Sequence, residues 1–315
     1  MTEKKDKFIL APIRGVTNYI FRNVFRKYFF GFDFAVSPFI PTTKGKEVKF
    51  KLLKDVLPAN NLMPIEPQII GKDPEDIILT ANSIYDLGYK TVNWNLGCPH
   101  KQVAKRKRGS GMLPHPEMIH EILSLVIPKL RGEFSIKLRL GRKDKNEIFS
   151  VLEVLKKFPI KHITIHPRTG EQMYQGSADV DFFEKCIPFI NTDLIYNGDI
   201  FSKEDFYALK QRFPKINNWM IGRGVLFNPF LIDEISNNVA YTESLKKEKL
   251  EKFHSEIFEI NESILFGENH LLGRMKEFWF YFSKNFIDGK KFLKRIQKAK
   301  SKNEYENIVT ELFEL

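Results

Sequence analysis

The sequence predicts an α/β protein, a (β/α)8 barrel followed by a small all-helical C-terminal domain, on three observations. Eight short apolar runs recur over the first three-quarters of the chain, at Phe8–Ile13, Phe34–Pro38, Ile65–Ile70, Thr91–Leu96, Phe134–Leu140, His162–His166, Leu194–Tyr196 and Trp219–Gly222. Helix-like stretches separate them at intervals of roughly 25–40 residues, the alternation expected of a barrel. The strand rhythm then stops, and helical periodicity alone continues.

Each element has a local reason. The runs are rich in Ile, Val, Phe and Leu, as parallel strands buried on both faces should be. Thr17 is placed to cap a helix over Asn18–Tyr28, and Asp73-Pro74 opens one running to about Leu87. Pro116 opens another to about Leu130, and Ser202 caps one reaching Arg212. The lysine-rich stretch Pro41–Asn61 reads as a long loop with one short helix. Polar residues around 236–244 mark a boundary between a barrel domain over 1–240 and a helical domain over 243–315. In the latter, helices are expected at Leu245–Phe266, Leu271–Phe286, Lys290–Lys300 and Glu304–Phe313.

The 315 residues are 43% hydrophobic and 28% charged, which fits a soluble globular protein rather than a disordered one. No apolar stretch reaches the roughly 20 residues of a membrane helix. Met1–Lys7 is polar and charged, without the apolar segment of a secretion signal. Two cysteines suggest no disulfide framework, so the cytoplasm is the expected compartment. The net charge of +11 favours a polyanionic partner, nucleic acid before membrane. The bland alternative is a proteome in which lysine is simply common.

In a barrel of this type the active site forms at the C-terminal ends of the strands. Those ends carry Pro12, Gln68, Cys98, Lys137, Arg139, His166, Asn197, Asp199 and Arg223. Cys98, in a Gly-Cys-Pro turn leaving the fourth strand, is the candidate catalytic group. Thiols titrate near about 8.5 and so keep a transferable proton at neutral pH. Cys186 lies in a helix-like segment and reads as structural. After Cys98, Lys105, Arg106 and Arg108 belong to a basic block ahead of Gly109-Ser-Gly111, a loop able to close over a phosphate backbone. Lys137 and Arg139, two apart on one strand, share a side; inside a barrel they would require an anionic or electron-rich ligand, and facing outward or the barrel mouth they would simply be solvated. Zinc is not expected, since His162 and His166 on one strand stand about 13 Å apart. Asn197-Gly198-Asp199 and Gly222-Arg223-Gly224 follow the last two strands, where this fold frequently binds phosphate. In the C-terminal domain, Lys284, Lys291, Arg295, Lys298 and Lys302 fall on one helical face, while Phe292, Ile296 and Ala299 share another. Such a face is either ordinary solvated surface or an RNA-facing ridge.

Taken in order, these motifs resemble the tRNA-dihydrouridine synthases, a family of flavin-dependent enzymes. The resemblance rests on Ala11-Pro-Ile-Arg-Gly-Val-Thr17, Pro67-Gln-Ile-Ile-Gly71 and Asn95-Leu-Gly-Cys-Pro99 with Gly109-Ser-Gly111. It continues through Lys137-Leu-Arg-Leu-Gly141, His166-Pro-Arg-Thr-Gly-Glu-Gln-Met-Tyr-Gln-Gly-Ser-Ala-Asp179, Asn197-Gly-Asp-Ile200 and Ile221-Gly-Arg-Gly224. It covers the whole chain, most loosely the last domain, and Ile13 stands where methionine is common.

The resemblance implies FMN at the barrel mouth. Pro12, Ile13 and Arg14 would lie along it by backbone, Gln68 and Lys137 would bond its polar edge, and His166 would sit nearby. Asn197, Gly198, Asp199, Gly222 and Arg223 would hold ribityl chain and phosphate. It further implies hydride transfer from N5 of reduced FMN to C6 of uracil in tRNA, a proton from Cys98 to C5, and NADPH as electron donor. Asn95, Arg139, Arg168, Lys105, Arg106, Arg108, Lys291, Arg295 and Lys298 are the candidate RNA contacts. A monomer without a protein partner is expected. The same chemistry on ribosomal RNA stays open. Reduction of a free pyrimidine is a second reading, and a non-catalytic RNA-binding barrel a third. The charge and the basic loop weigh against the second, and the full flavin and cysteine set against the third.

Overall fold

The computed structural model describes residues 5–237 and 239–314. Met1–Lys4 of the polar start, Asn238 of the polar boundary stretch and Leu315 of the helical domain lie outside the described residues.

Contacts divide the chain into two compact units. The first comprises Met1–Pro12, Asp33–Asp199 and Arg212–Ile221, and holds ten short strands. These are β1 (Lys7–Leu10), β2 (Phe34–Val36), β3 (Ile40–Pro41), β4 (Ile65–Glu66), β5 (Gln68–Ile70), β6 (Thr91–Leu96), β7 (Glu133–Gly141), β8 (Ile160–Thr169), β9 (Asp193–Tyr196) and β10 (Asn218–Ile221). Every pairing is parallel, in the order β3-β5-β6-β7-β8-β9-β10-β1-β2-β4.

The ten segments are eight strands. β4 and β5 are one run interrupted at Pro67, which has no N–H to give the ladder. Ser37 Oγ repairs the break by accepting from Gln68 N at 3.0 Å, while Pro67 O accepts from Asn93 N at 2.8 Å. β2 and β3 likewise belong to one run, broken at Ser37–Phe39. Since β4 pairs with β2, and β5 with both β3 and β6, the ring closes into the expected barrel.

Strand alternation sorts the side chains. Outward, Tyr196 and Trp219 pack on each other and Tyr196 on Phe183 and Phe213. Inward, the lumen has two chemically distinct halves. β1, β2, β9 and β10 supply an apolar cluster of Ile9, Ala11, Val36, Ile195 and Met220, with Phe34 against it. β4 to β8 supply buried polar groups: Glu66, Gln68, Asn93, Asn95, Ser135, Lys137, Arg139, His162, Thr164 and His166.

Helices of this unit follow their sequence signals. Asp73 caps Pro74–Asp86, its Oδ1 accepting from Glu75 and Asp76 N–H groups. The helix Pro116–Val126 passes into a 3-10 turn at Ile127–Lys129. The lysine-rich loop holds the short helix Phe50–Leu53 and two 3-10 turns.

The second unit comprises Ile13–Phe32, Ile200–Gln211 and Gly222–Leu315. Its first helix, Tyr19–Tyr28, is capped by Asn18, whose Oδ1 accepts from Phe21 N at 3.1 Å. Thr17, the expected cap, is spent on Ile13, accepting from its N–H at 2.8 Å and donating to its carbonyl at 3.3 Å. Phe21, Phe25 and Phe29 surround Phe253 of helix Glu243–Ile264, with ring centroids 5.7, 6.1 and 5.1 Å away. Helices Glu268–Phe282, Gly289–Lys298 and Lys302–Glu314 complete the C-terminal bundle. At its centre Trp279 Nε1 donates to Tyr305 Oη at 2.7 Å, and Tyr305 Oη lies 2.6 Å from His254 Nε2. Burial pushes the His254 imidazole pKa down to about 3.

Candidate functional site

Cys98 leaves β6 half-buried, and its backbone is held from two sides. Asn95 Oδ1 accepts from Cys98 N at 2.7 Å and from Gly97 N at 3.0 Å. Cys98 O accepts from Ser110 Oγ at 2.9 Å and from Ser110 N at 3.1 Å. Arg142 locks the same loop, donating to Pro99 O at 2.9 Å and lying 3.4 Å from Ser110 Oγ.

The glycines beside Ser110 serve this closeness. Gly109 has φ +57°, and a Cβ there would come within 2.8 Å of Cys98 O. A Cβ on Gly111 would sit 2.3 Å from Ala104 O. Residues 109–112 are therefore buried against the Cys98 turn, in the loop that the sequence offers as able to close over a phosphate backbone. The basic block rides above them: Lys105 and Arg106 are exposed, and Arg108 is half-buried with its Nε lacking a hydrogen-bond partner.

Lys137 and Arg139 share a side, as their spacing implies, and that side is the lumen. Lys137 Nζ donates to Asn197 Oδ1 at 2.5 Å, and Asn197 Nδ2 donates to Met220 O at 2.8 Å. Burial, reinforced by the like charge of Arg139, lowers the Lys137 pKa to about 7. Arg139 Nη1 donates to Thr169 O at 2.8 Å and Met173 O at 2.7 Å, and its guanidinium lies 5.5 Å from the Tyr174 ring centre. Tyr174, which carries no strand-end signal in the sequence, thereby presents a half-exposed aromatic face beside Arg139.

His166 Nε2 stands 3.0 Å from Arg168 Nη1. Arginine can only donate, so this nitrogen accepts and Nδ1 carries the proton. Arg168 also donates to Gly176 O at 2.7 Å and forms a close ion pair with Asp199. Asp199 Oδ2 in turn accepts from Ala178 N at 2.9 Å. Arg168 and Asp199, assigned separately to RNA and to cofactor, are thus partners of each other. Pro12 is half-buried at the end of β1, and Gly198 lies where its Cβ would strike the Tyr196 hydroxyl at 2.1 Å.

Beneath the rim runs a buried polar chain that the sequence reading did not register. Glu66, Asn93, Ser135 and His162 join Gln68 and Asn95 in it. Cys186 is the structural thiol expected: buried, donating to Phe182 O at 3.2 Å, with burial pushing its pKa up to about 12.

In the second unit, Ile13 is buried and Arg14 exposed. Gly222 precedes the helix Arg223–Phe227, and the Arg223 guanidinium lies 5.3 Å from the Phe201 ring centre. The expected basic ridge spans three elements rather than one helix, because a 3-10 turn at Ser283–Asn285 and a break after Lys298 divide it. Lys291, Arg295 and Lys298 share helix Gly289–Lys298, with Phe292 and Ile296 buried behind. Arg295 is engaged bidentately by Glu311 at 2.7 and 2.6 Å, and Lys302 pairs with Glu262.

Among the described residues, no helix is long and apolar enough to cross a membrane, and no cluster of three or more His, Cys, Asp or Glu could hold a metal ion.

Comparison with known proteins gives a consistent result. A family model described as dihydrouridine synthase matches residues 9–314. The chain is 25% identical to a tRNA-dihydrouridine(16) synthase of Neisseria meningitidis serogroup B, over 98% of this chain and 95% of that protein. It is 30% identical to a tRNA-dihydrouridine synthase B of Pasteurella multocida, over 72% of this chain and 68% of that one. Among solved structures, a morphinone reductase in complex with tetrahydroNAD aligns with a TM-score of 0.54 at 11% identity, covering 74% of this chain and 87% of its own. The old yellow enzyme from Trypanosoma cruzi aligns at 0.52 and 11%, covering 75% and 89%. These last two are likenesses of fold.

Proposed function

We propose that this chain, which belongs to the dihydrouridine synthase family, reduces the C5–C6 double bond of uridine in tRNA, with FMN as cofactor and NADPH as reductant. One observation carries the assignment of roles: Cys98 is fixed by backbone bonds at the rim of a barrel whose polar half carries the buried cations Lys137 and Arg139. A buried lysine held only near neutrality suits an electron-rich ligand, as the polar edge of an isoalloxazine is. The donors Gln68, Lys137 and His166 fit that group, and Asn197 orients Lys137 toward it.

When bound and reduced, the flavin supplies a hydride for C6 of the uracil. Cys98 keeps a proton on Sγ and passes it to C5, so that two hydrogens are added across the bond. Asn95 and Ser110 hold the cysteine backbone, which restricts where the thiol can reach. Arg139 and Tyr174 orient the uracil, which must leave its stack to enter the barrel mouth. Lys105, Arg106 and Arg108 meet the RNA backbone, as do Lys291 and Lys298 of the region 243–315. Gly222 and Arg223 keep the phosphate role assigned to them from sequence.

Position 16 is the proposed target. The likeness to the Neisseria tRNA-dihydrouridine(16) synthase runs through almost the whole of both chains, whereas that to the Pasteurella enzyme covers about seven-tenths. Orientation on the RNA depends on the C-terminal helices, so a full-length match is the better guide.

The test uses tRNA from cells lacking dihydrouridine, incubated with the protein, FMN and NADPH. Mass spectrometry of the digested RNA should find two added hydrogens at uridine 16, absent with Cys98→Ala. A flavin-loaded, NADPH-reducible protein that modifies no tRNA uridine would overturn the assignment.

A further inference from the structure

Six side chains on adjacent strands form one hydrogen-bonded chain from the base of the lumen to Cys98. Glu66 Oε1 accepts from Ser135 Oγ at 2.5 Å, and Ser135 Oγ accepts from Asn93 Nδ2 at 2.8 Å. Asn93 Oδ1 accepts from Gln68 Nε2 at 2.7 Å, and Gln68 Oε1 accepts from Asn95 Nδ2 at 2.7 Å. Asn95 Oδ1 then accepts from the backbone N–H groups of Gly97 and Cys98. The sixth member, His162, brings Nε2 to 2.8 Å from Glu66 Oε2.

The chain has a direction, and its two ends set it. An ionised carboxylate only accepts, so Ser135 must donate to Glu66 and receive from Asn93. Each amide above is then forced into one of its two flips. At the far end backbone N–H groups only donate, so Asn95 must present oxygen. His162 is consistent with this: its Nδ1 is buried without a hydrogen-bond partner. Donating from Nε2 to Glu66 leaves there a lone pair, the cheaper group to bury unpaired.

We propose that Glu66 is a positioning residue for Cys98, acting through Ser135, Asn93, Gln68 and Asn95 to keep the Cys98 backbone N–H bonded. This rests on the reading of Cys98 as the proton donor. The reversed chain would end with Asn95 Nδ2 facing two N–H donors, leaving the turn unheld. With glutamine at position 66, only the two backbone N–H donors at the far end still weigh against that reversal.

Glu66→Gln tests this, because it keeps the size while replacing an acceptor-only group with one that can also donate. Hydrogen exchange at the Gly97 and Cys98 amides should accelerate about tenfold, the worth of roughly one hydrogen bond. Single-turnover uridine reduction should slow by about the same factor, with tRNA affinity unchanged. Adding Asn93→Asp moves the acceptor-only group one link up. Ser135 can then donate to the new carboxylate while Gln68 still donates to it, so both readouts should return to within about twofold of wild type. A merely structural role for Glu66 predicts no such rescue by a second buried substitution.

Unchanged exchange at Gly97 and Cys98 in Glu66→Gln, or a double variant no better than the single, would overturn the proposal. Should Glu66→Gln not fold, Ser135→Ala and Ser135→Thr replace it. Loss of amide protection with alanine and retention with threonine supports the chain, and equal protection refutes it. Amide exchange needs neither RNA nor flavin. A wild-type protein inactive on tRNA but showing the exchange pattern would defeat the proposed function and leave the positioning role standing.

Discussion

Binding of the flavin should take up a proton, and Lys137 should be its destination. The ammonium is buried, its amide partner Asn197 is neutral, and Arg139 adds like charge. Burial first, and Arg139 second, bring its pKa to about 7. About half of the Lys137 side chains are then neutral at pH 7, and roughly nine-tenths at pH 8. An electron-rich ligand against Nζ favours the charged form and raises the pKa again. Binding should therefore take up about 0.5 proton at pH 7 and up to about 0.9 at pH 8. The sign follows: affinity is highest where lysine is already charged, and falls by up to about tenfold per pH unit above 7. By the same depression, the flavin-free fold gains stability as pH rises from 7 toward the unfolded value near 10.5. Titration calorimetry of FMN into flavin-free protein at pH 8, in buffers of different ionisation enthalpy, measures the uptake directly. At that pH a phosphate monoester, with a second pKa of about 6, contributes almost nothing. Lys137→Met should abolish the buffer dependence. Identical enthalpies in all buffers for the wild type would refute the reasoning.

Three further outcomes are expected. Gly109→Ala should reduce stability by about 1–3 kcal/mol and disturb Cys98, since the new methyl meets Cys98 O at 2.8 Å with φ at +57°; a thermal melt matching wild type would contradict this. Lys298→Glu should weaken tRNA binding and flatten its salt dependence, whereas Arg295→Ala should do less because Glu311 already engages that guanidinium; filter binding across a salt series separates the two. His254, with its pKa held near 3 against about 6.5 unfolded, stabilises the fold fully above pH 6.5 and loses that contribution as pH falls. Denaturant titrations at pH 7 and pH 5 should show the wild type losing about 2 kcal/mol more than His254→Gln.

Much of the barrel was legible because buried parallel strands advertise themselves as short apolar runs, and because proline and aspartate punctuate the helices. Period-two spacing puts Lys137 and Arg139 on one side of their strand, but which side is settled only by the barrel. The same spacing in Asn93 and Asn95, and in Ser135 with Lys137, could have exposed the polar chain. Its closing members, Glu66 and His162, lie 96 residues apart, and only barrel closure brings them within 2.8 Å. Thr17 and Asn18 are both good caps, and nothing local says that Thr17 will be consumed by Ile13. The basic ridge looked continuous because charge periodicity survives a helix break, while its neutralisation by Glu311 and Glu262 depends on tertiary packing.

The interleaving of the helical unit has a consequence in time. Residues 13–32 leave the ribosome early, yet Phe253, around which Phe21, Phe25 and Phe29 pack, is made more than two hundred residues later. At roughly 5–20 residues per second, that aromatic face waits on the order of ten to fifty seconds for its cover. During synthesis the nascent chain therefore carries an adhesive segment near its leading end. Any fragment that stops at the apparent boundary near residue 240 would make that wait permanent.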